Sequence, residues 1–213
     1  MVERAEYPGE SLVFLAAILC GGRARRMGTD KVALPLGGTP LVERVWQRVA
    51  ALVDTVVAVG GSPDVAHLGM AVVPDRYPGA DSMGGIATAL SYAAERFGDT
   101  WVLALACDLP FLEPRLLQHL ARLWEGYDVV VPRVSAGYEP LCALYRTTCL
   151  PVFEECIRNG QLAIRSIFSR VRTWEVAETE LRRFDPDLHS FINLNRPADL
   201  ECAHRLLGVK REA

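Results

Sequence analysis

Short, continuous apolar runs recur along this chain, and the stretches between them return an apolar residue every three or four positions. The runs cover 12–19, 55–60 (Thr-Val-Val-Ala-Val-Gly), 70–73, 101–106 (Trp-Val-Leu-Ala-Leu-Ala) and 127–131. Because they stay apolar instead of alternating, they read as strands covered on both faces. The intervening periodicity predicts helices. One begins at Thr39-Pro40, with Thr39 as N-cap and Pro40 in the first helical position, and runs to about Leu52. Two more cover 85–97 and 114–124, the second opened by Pro114. Strands alternating with helices predict an α/β domain of three layers, a mostly parallel sheet with helices on both faces. Beyond residue 132 the alternation loosens: a strand near 141–145, helices near 147–158 and 161–169, a strand near 172–176, and a last helix from Pro197. No repeat or low-complexity linker interrupts the chain. The expected organisation is a single domain over 12–208, preceded by an N-terminal extension, 1–11.

In sheets of this kind ligands bind beyond the carboxyl ends of the strands. That rule selects residues 20–31, Gly60-Gly61, Asp75 and Cys107-Asp108-Leu109-Pro110 for scrutiny. The first segment is the richest. Leu15-Ala16-Ala17-Ile18-Leu19 is followed by Cys20-Gly21-Gly22-Arg23-Ala24-Arg25-Arg26-Met27-Gly28-Thr29-Asp30-Lys31. Neither Gly-x-Gly-x-x-Gly nor the Walker pattern is present, so neither a dinucleotide fold nor a P-loop is supported. Glycines let backbone N–H groups converge on an anion, and the cations supply countercharge. Only two lysines, Lys31 and Lys210, stand among 21 arginines. A lysine kept inside the glycine loop suits a compact ammonium set against phosphate oxygens. A nucleoside triphosphate fits this chemistry.

Asp108 lies just past a fully apolar strand. Such a carboxylate is paired, solvated in a cleft or bound to a hard cation such as Mg²⁺, or it forms an Asx turn ahead of the 114–124 helix. Asp75 reads by spacing alone as a surface turn ion-paired with Arg76. Asn193 and Asn195 hold two of the chain's three asparagines. Asn195 either caps the last helix or reaches the site as a metal ligand.

Charge and cysteine usage narrow the class further. A net charge of −3 and a pI near 5.8 argue against general nucleic-acid binding. The six cysteines show no C-x-x-C pair or zinc spacing, and most sit in apolar runs, as buried reduced thiols do. The stretch Ser11–Cys20 resembles a lipoprotein signal only superficially: Glu3, Glu6 and Glu10 outweigh Arg4 before it, the wrong sign for such a leader. No apolar stretch reaches membrane-spanning length. The expected location is the cytoplasm, with no membrane association.

The segment Leu19-Cys20-Gly21-Gly22-x-x-x-Arg26-Met27-Gly28-x-Asp30-Lys31 resembles the glycine-rich signature of molybdenum cofactor guanylyltransferases, relatives of the nucleotidyltransferases that activate sugars and cofactors. Four more segments are similar in the same order: Tyr77-Pro78-Gly79 with Met83-Gly84-Gly85, Cys107-Asp108-Leu109-Pro110, Glu139-Pro140-Leu141-Cys142-Ala143-Leu144-Tyr145, and Asn193-Leu194-Asn195-Arg196-Pro197. The resemblance implies a Rossmann-like nucleotidyltransferase domain. It implies transfer of GMP from GTP to the phosphate of molybdopterin or the molybdenum cofactor, with release of pyrophosphate. Under it, Leu19, Cys20, Gly21, Gly22, Lys31, Gly60, Asp75, Gly84 and Asp108 contact the nucleotide. Arg26, Lys31 and Asp108 are catalytic, and Asp108 with Asn195 holds Mg²⁺. Partners beyond the substrates would be molybdoenzymes or other cofactor-pathway proteins met transiently. Two departures stand out: Gly60-Gly61 replaces an asparagine after the second strand, and Asp81-Ser82 replaces Gly-Pro. A cytidylyl- or guanylyltransferase for another phosphorylated acceptor, and a GTP-binding module without catalysis, remain the alternatives.

Overall fold

In the computed structural model, residues 15–21, 34–60, 63–195 and 197–208 are described. A single mixed sheet of eight strands forms the middle layer. Its parallel half holds β1 (Leu15–Leu19), β4 (Thr55–Val59), β5 (Ala71–Val73) and β6 (Trp101–Ala106), in the order β6-β1-β4-β5. Beyond β6 the sheet continues through β9 (Cys142–Arg146), β7 (Val129–Val134) and β10 (Thr173–Ala177), and the short β8 (Gly137–Tyr138) hangs on β7. β9 is antiparallel to both β6 and β7, whereas β10 is parallel to β7. A two-stranded hairpin, β2 (Pro35–Leu36) and β3 (Thr39–Pro40), stands apart.

All five residues of β1 and all six of β6 are buried, which is why their sequences carry no polar alternation. Side chains from alternate positions feed two cores. Ala16, Ile18, Leu103 and Leu105 pack on one face against Val42, Val45 and Val49 of α1 (Leu41–Val49) and Leu116, Leu117 and Leu120 of α3 (Pro114–Leu120). Leu15, Ala17, Leu19, Val102 and Ala104 pack on the other against α2 (Asp81–Phe97) and α4 (Leu150–Arg158). The short α5 (Arg165–Phe168) and α6 (Glu178–Leu181) close the second half, and α7 (Pro197–Leu206) ends the described chain, its Ala203 packing on Leu36 and Leu41. This is the expected three-layer α/β arrangement with helices on both faces. Among the described residues no helix is long and apolar enough to cross a membrane.

The structure corrects several boundaries. Thr39 is not a helix cap: it pairs with Leu36 in the hairpin, and α1 starts at Leu41 after Pro40 without a side-chain cap. Gly37 and Gly38, at φ 58° and 80°, make the two-residue turn, a Gly-Gly geometry matched to strand twist. α2 begins four residues before the expected 85, because Asp81 accepts a left-handed φ of 47° and the chain turns into the helix there. The helix expected over 161–169 is reduced to Arg165–Phe168, and the one over 147–158 opens with a 3₁₀ turn, Thr147–Cys149.

Candidate active site

The carboxyl ends of β1, β4 and β5 meet at one point. Cys20 N–H donates to Val59 O and Gly60 N–H to Val73 O, both at 2.9 Å, so the chain leaving each strand is tied to its neighbour. Gly21 and Gly60 therefore touch backbone to backbone. A Cβ on Gly60 would lie 3.1 Å from Gly21 Cα and 3.3 Å from its N, and Gly60 itself sits at φ +68°. Both features demand glycine. Asp75 Cβ is 4.0 Å from the same point, completing a junction of Gly21, Gly60 and Asp75. Cys20 is buried there, with its thiol turned back 3.5 Å from Ile18 O, and Leu19 is buried one residue earlier.

Asp75 does not pair with Arg76. Its Oδ1 accepts from Tyr77 N–H (2.9 Å) and from the Thr88 hydroxyl (3.2 Å), and Thr88 Oγ1 in turn accepts from Arg76 N–H (3.0 Å). The Arg76 guanidinium instead reaches Ser91 and Glu95 of α2. Oδ2 of the exposed Asp75 has no partner among the described residues. Tyr77 donates to Glu154, and burial beside that carboxylate pushes its phenol up to about 12. Thr88, a buried hydroxyl on α2, orients Asp75; a lone threonine inside an apolar helix gave no sign of this in sequence. Gly84 lies on the inner face of α2, where a Cβ would come 2.7 Å from Tyr77 O, and Gly85 lies against Leu19. Those contacts account for both glycines, and they lock the start of α2 onto the end of β1.

Asp108 follows β6, one strand over from the glycine junction, and is buried (8 % exposed). The Asn193–Asn195 segment is brought against it, since Leu194 N–H donates to Asp108 O at 3.2 Å. A second tie holds the same pieces together, Glu113 N–H donating to Ser190 Oγ at 2.9 Å. The buried Asp185 carboxylate anchors that turn by accepting from Ser190 N–H (2.7 Å) and His189 N–H (3.1 Å). Asn195 N–H donates to Asp199 Oδ2 at 2.9 Å, so Asp199 steadies the chain ahead of α7. Among the described residues no group of three or more His, Cys, Asp or Glu side chains is placed to hold a metal ion. Asp108 with an asparagine carbonyl is a sparse, all-oxygen donor set. That suits a hard cation which keeps several waters and substrate phosphates in its shell.

The geometry thus gathers Leu19, Cys20, Gly21, Gly60 and Asp75 at one place, and Asp108 with Asn195 at the next. Gly22, Arg26 and Lys31 lie outside the described residues. All the described members stand at the carboxyl rim of the sheet, where such folds bind nucleotides.

That architecture is shared with nucleotide-handling transferases, and comparison gives the family. The family model for the MobA-like NTP transferase domain matches residues 16–175. A probable molybdenum cofactor guanylyltransferase from Pelotomaculum thermopropionicum is 36% identical, over 86% of this chain and 88% of its own. The molybdenum cofactor guanylyltransferase of Desulfosudis oleivorans is 34% identical over 91% of this chain and 96% of its own. A crystal structure of molybdopterin-guanine dinucleotide biosynthesis protein A from Archaeoglobus fulgidus is 29% identical and superimposes with a TM-score of 0.78, covering 91% of this chain and 98% of that one. The chain belongs to the family of MobA-like nucleotidyltransferases, among relatives named molybdenum cofactor guanylyltransferase.

Proposed function

We propose that this chain transfers GMP from GTP to the phosphate of molybdopterin or its metal-bearing form, releasing pyrophosphate and forming the guanine dinucleotide. The observation that carries this reading is the convergence of Gly21, Gly60 and Asp75 beside Asp108 and the Asn193–Asn195 segment at one edge of the sheet. The contact of Gly21 with Gly60, which leaves no room for a Cβ on Gly60, fixes the backbone at the carboxyl ends of β1 and β4, where such folds bind nucleotides. Asp75, with one oxygen fixed and the other open, can accept from a sugar hydroxyl or a base amino group. Asp108 and Asn195 would hold Mg²⁺, which when bound neutralises charge at the phosphate being transferred. Arg26 and Lys31 of the glycine loop would screen the triphosphate.

The acceptor supplies its own nucleophile, a phosphate oxygen already ionised at neutral pH, so no general base is required. What remains for the protein is to align two anions and stabilise the charge that develops between them. His119 is engaged elsewhere: its ring stacks on Phe184 and bonds Glu180. A cytoplasmic location, where GTP and the reduced cofactor are found, and transient contact with molybdoenzymes that receive the product are parts of the same proposal.

Pyrophosphate release with Mg²⁺, measured for GTP, CTP, ATP and UTP with and without molybdopterin, tests it. Release only with GTP and molybdopterin is expected. Preference for CTP would move the chain to a cytidylyl activity, and GTP binding without any release would leave a binding module.

A further inference from the structure

Glu139 belongs to no part of the site described above, yet its backbone is among the most firmly held at that edge. Its N–H donates to Pro132 O (2.9 Å) and its carbonyl accepts from Cys142 N–H (3.1 Å). The next two carbonyls are also pinned: Pro140 O by the Tyr145 hydroxyl (2.8 Å), and Leu141 O by Ala106 N–H (2.9 Å). This turn therefore crosses the carboxyl end of β6, whose following residues are Cys107 and Asp108. While the Glu139 N–H and the three carbonyls of this turn are bonded, the Glu139 side chain is not. No hydrogen-bond donor or cation reaches the Glu139 carboxylate among the described residues, and burial pushes it up to about 7. Its oxygens are still reachable, because the one side-chain oxygen both fully buried and unpartnered among the described residues is Thr100 Oγ1. A rigid turn presenting an unpaired, half-buried carboxylate is costly for a protein to keep, and a ligand that donates to it removes the cost.

Position says which ligand. Along the sheet the order is β9, β6, β1, β4, β5. The glycine junction ends β1, β4 and β5, Asp108 follows β6, and Glu139 leads into β9 on the far side. Strands are spaced by about 4.8 Å, so the turn carrying Glu139 lies across β6 from the glycine junction, the side that the guanylyl-transfer reading leaves to the acceptor. A pterin presents a 2-amino-4-oxopyrimidine edge, with the amino N–H and ring N3–H side by side, and a carboxylate accepts such a pair with two parallel bonds. We propose that Glu139 selects the acceptor by accepting these two hydrogen bonds from its pterin ring. The inference rests on the guanylyl-transfer reading. Guanine carries the same edge, so the two sources must be separated.

The test uses the full chain at pH 8 and measures equilibrium binding of 6-hydroxymethylpterin phosphate against its lumazine counterpart, in which a carbonyl replaces the amino group. A parallel pair compares GTP with xanthosine triphosphate, which makes the same exchange on the nucleotide. The wild type is expected to favour the pterin by tenfold or more. Glu139→Gln, whose amide offers one donor and one acceptor, should lose or reverse that preference while the GTP preference stays unchanged. Glu139→Asp should keep the direction with weaker binding. Thermal melting of both variants shows whether they fold. An unchanged pterin-to-lumazine ratio in Glu139→Gln, or no pterin preference in the wild type, overturns the proposal. A change confined to the GTP pair assigns the residue to guanine and overturns it too. Pyrophosphate release by the wild type reports separately on the reaction, so failed transfer with an intact pterin preference sinks the functional reading alone.

Discussion

Replacing Gly60 by alanine probes the junction on which the nucleotide half of the site depends. Two costs add. At φ +68° an L-residue is strained by about 1–2 kcal/mol. The new Cβ, 3.1 Å from Gly21 Cα, also presses on backbone that cannot swing aside, since Cys20 and Gly60 are each tied to a neighbouring strand end at 2.9 Å. Overpacking of that kind costs about 1–3 kcal/mol. Fewer conformations in the unfolded chain return about 0.4–1 kcal/mol. The expected net loss is about 1–4.5 kcal/mol, centred near 3. Gly160→Ala is the internal control. Its φ is +69° and nothing lies within 4 Å of the added carbon, so the φ cost alone applies, about 1 kcal/mol after the same offset. Urea unfolding of both variants, extrapolated to water, gives the comparison. Gly60→Ala should also weaken GTP binding by about tenfold or more, because Gly21 is displaced, whereas Gly160→Ala should leave it unchanged. Equal losses within about 0.5 kcal/mol would refute the claim that the two backbones are in enforced contact.

Asp108→Asn should lower turnover by ~10²–10³-fold with folding intact, the range for one charge-stabilising group; near-normal turnover at saturating Mg²⁺ would remove Asp108 from the reaction. Asp128 accepts from Arg172 Nη2 at 2.7 Å, Nε at 2.8 Å and N–H at 3.2 Å, and the guanidinium holds its carboxyl below the usual range. A depressed carboxyl stabilises the fold above its ordinary value and loses that as pH falls through the folded one. Asp128→Asn should therefore cost about 1 kcal/mol at pH 7, after allowance for solvent, and nothing near pH 2; a constant difference across melting curves would contradict this. Glu139 behaves oppositely. Pushed up to about 7 by burial, it favours folding least when ionised, so the penalty is absent below the ordinary carboxyl range and complete above pH 7. The ligand-free Glu139→Gln variant should be more stable than wild type at pH 8, by about 1–2 kcal/mol once solvent exposure is discounted, and equal to it at pH 4. A variant less stable at pH 8 would show that the carboxylate has a partner.

The sheet and its order of elements were legible because strands covered on both faces must be continuously apolar, as 15–19 and 101–106 are. The start of α2 was not. Gly84 and Gly85 lower helix propensity, and only the approach of Tyr77 O and the Leu19 side chain explains them. The hairpin at 35–40 hid behind a helix signal, because Thr-Pro suits a helix start as well as a strand edge. Asp75 and Asp108 could be selected by their place after strands, but the Thr88 hydroxyl, 13 residues from Asp75, and the tie of Glu113 to Ser190, 77 residues apart, act across sequence separations that no local pattern encodes. The same is true of the contact between Gly21 and Gly60, where each glycine has meaning only through the other.

The change of strand direction between β6 and β9 has a consequence for how such a site can diversify. On the nucleotide side each rim residue is reached by a parallel strand and a crossover, and is wedged by backbone contacts that leave little freedom. On the other side the rim is delivered by a hairpin, β7 through β8 to β9, in which β7 runs to the rim and β9 starts there and runs back antiparallel to β6, and whose tip can change length or chemistry without disturbing β1, β4 or β5. The two halves can drift separately. A lineage could exchange residues 134–141 and acquire a different phosphorylated acceptor while leaving the nucleotide-facing half as it was.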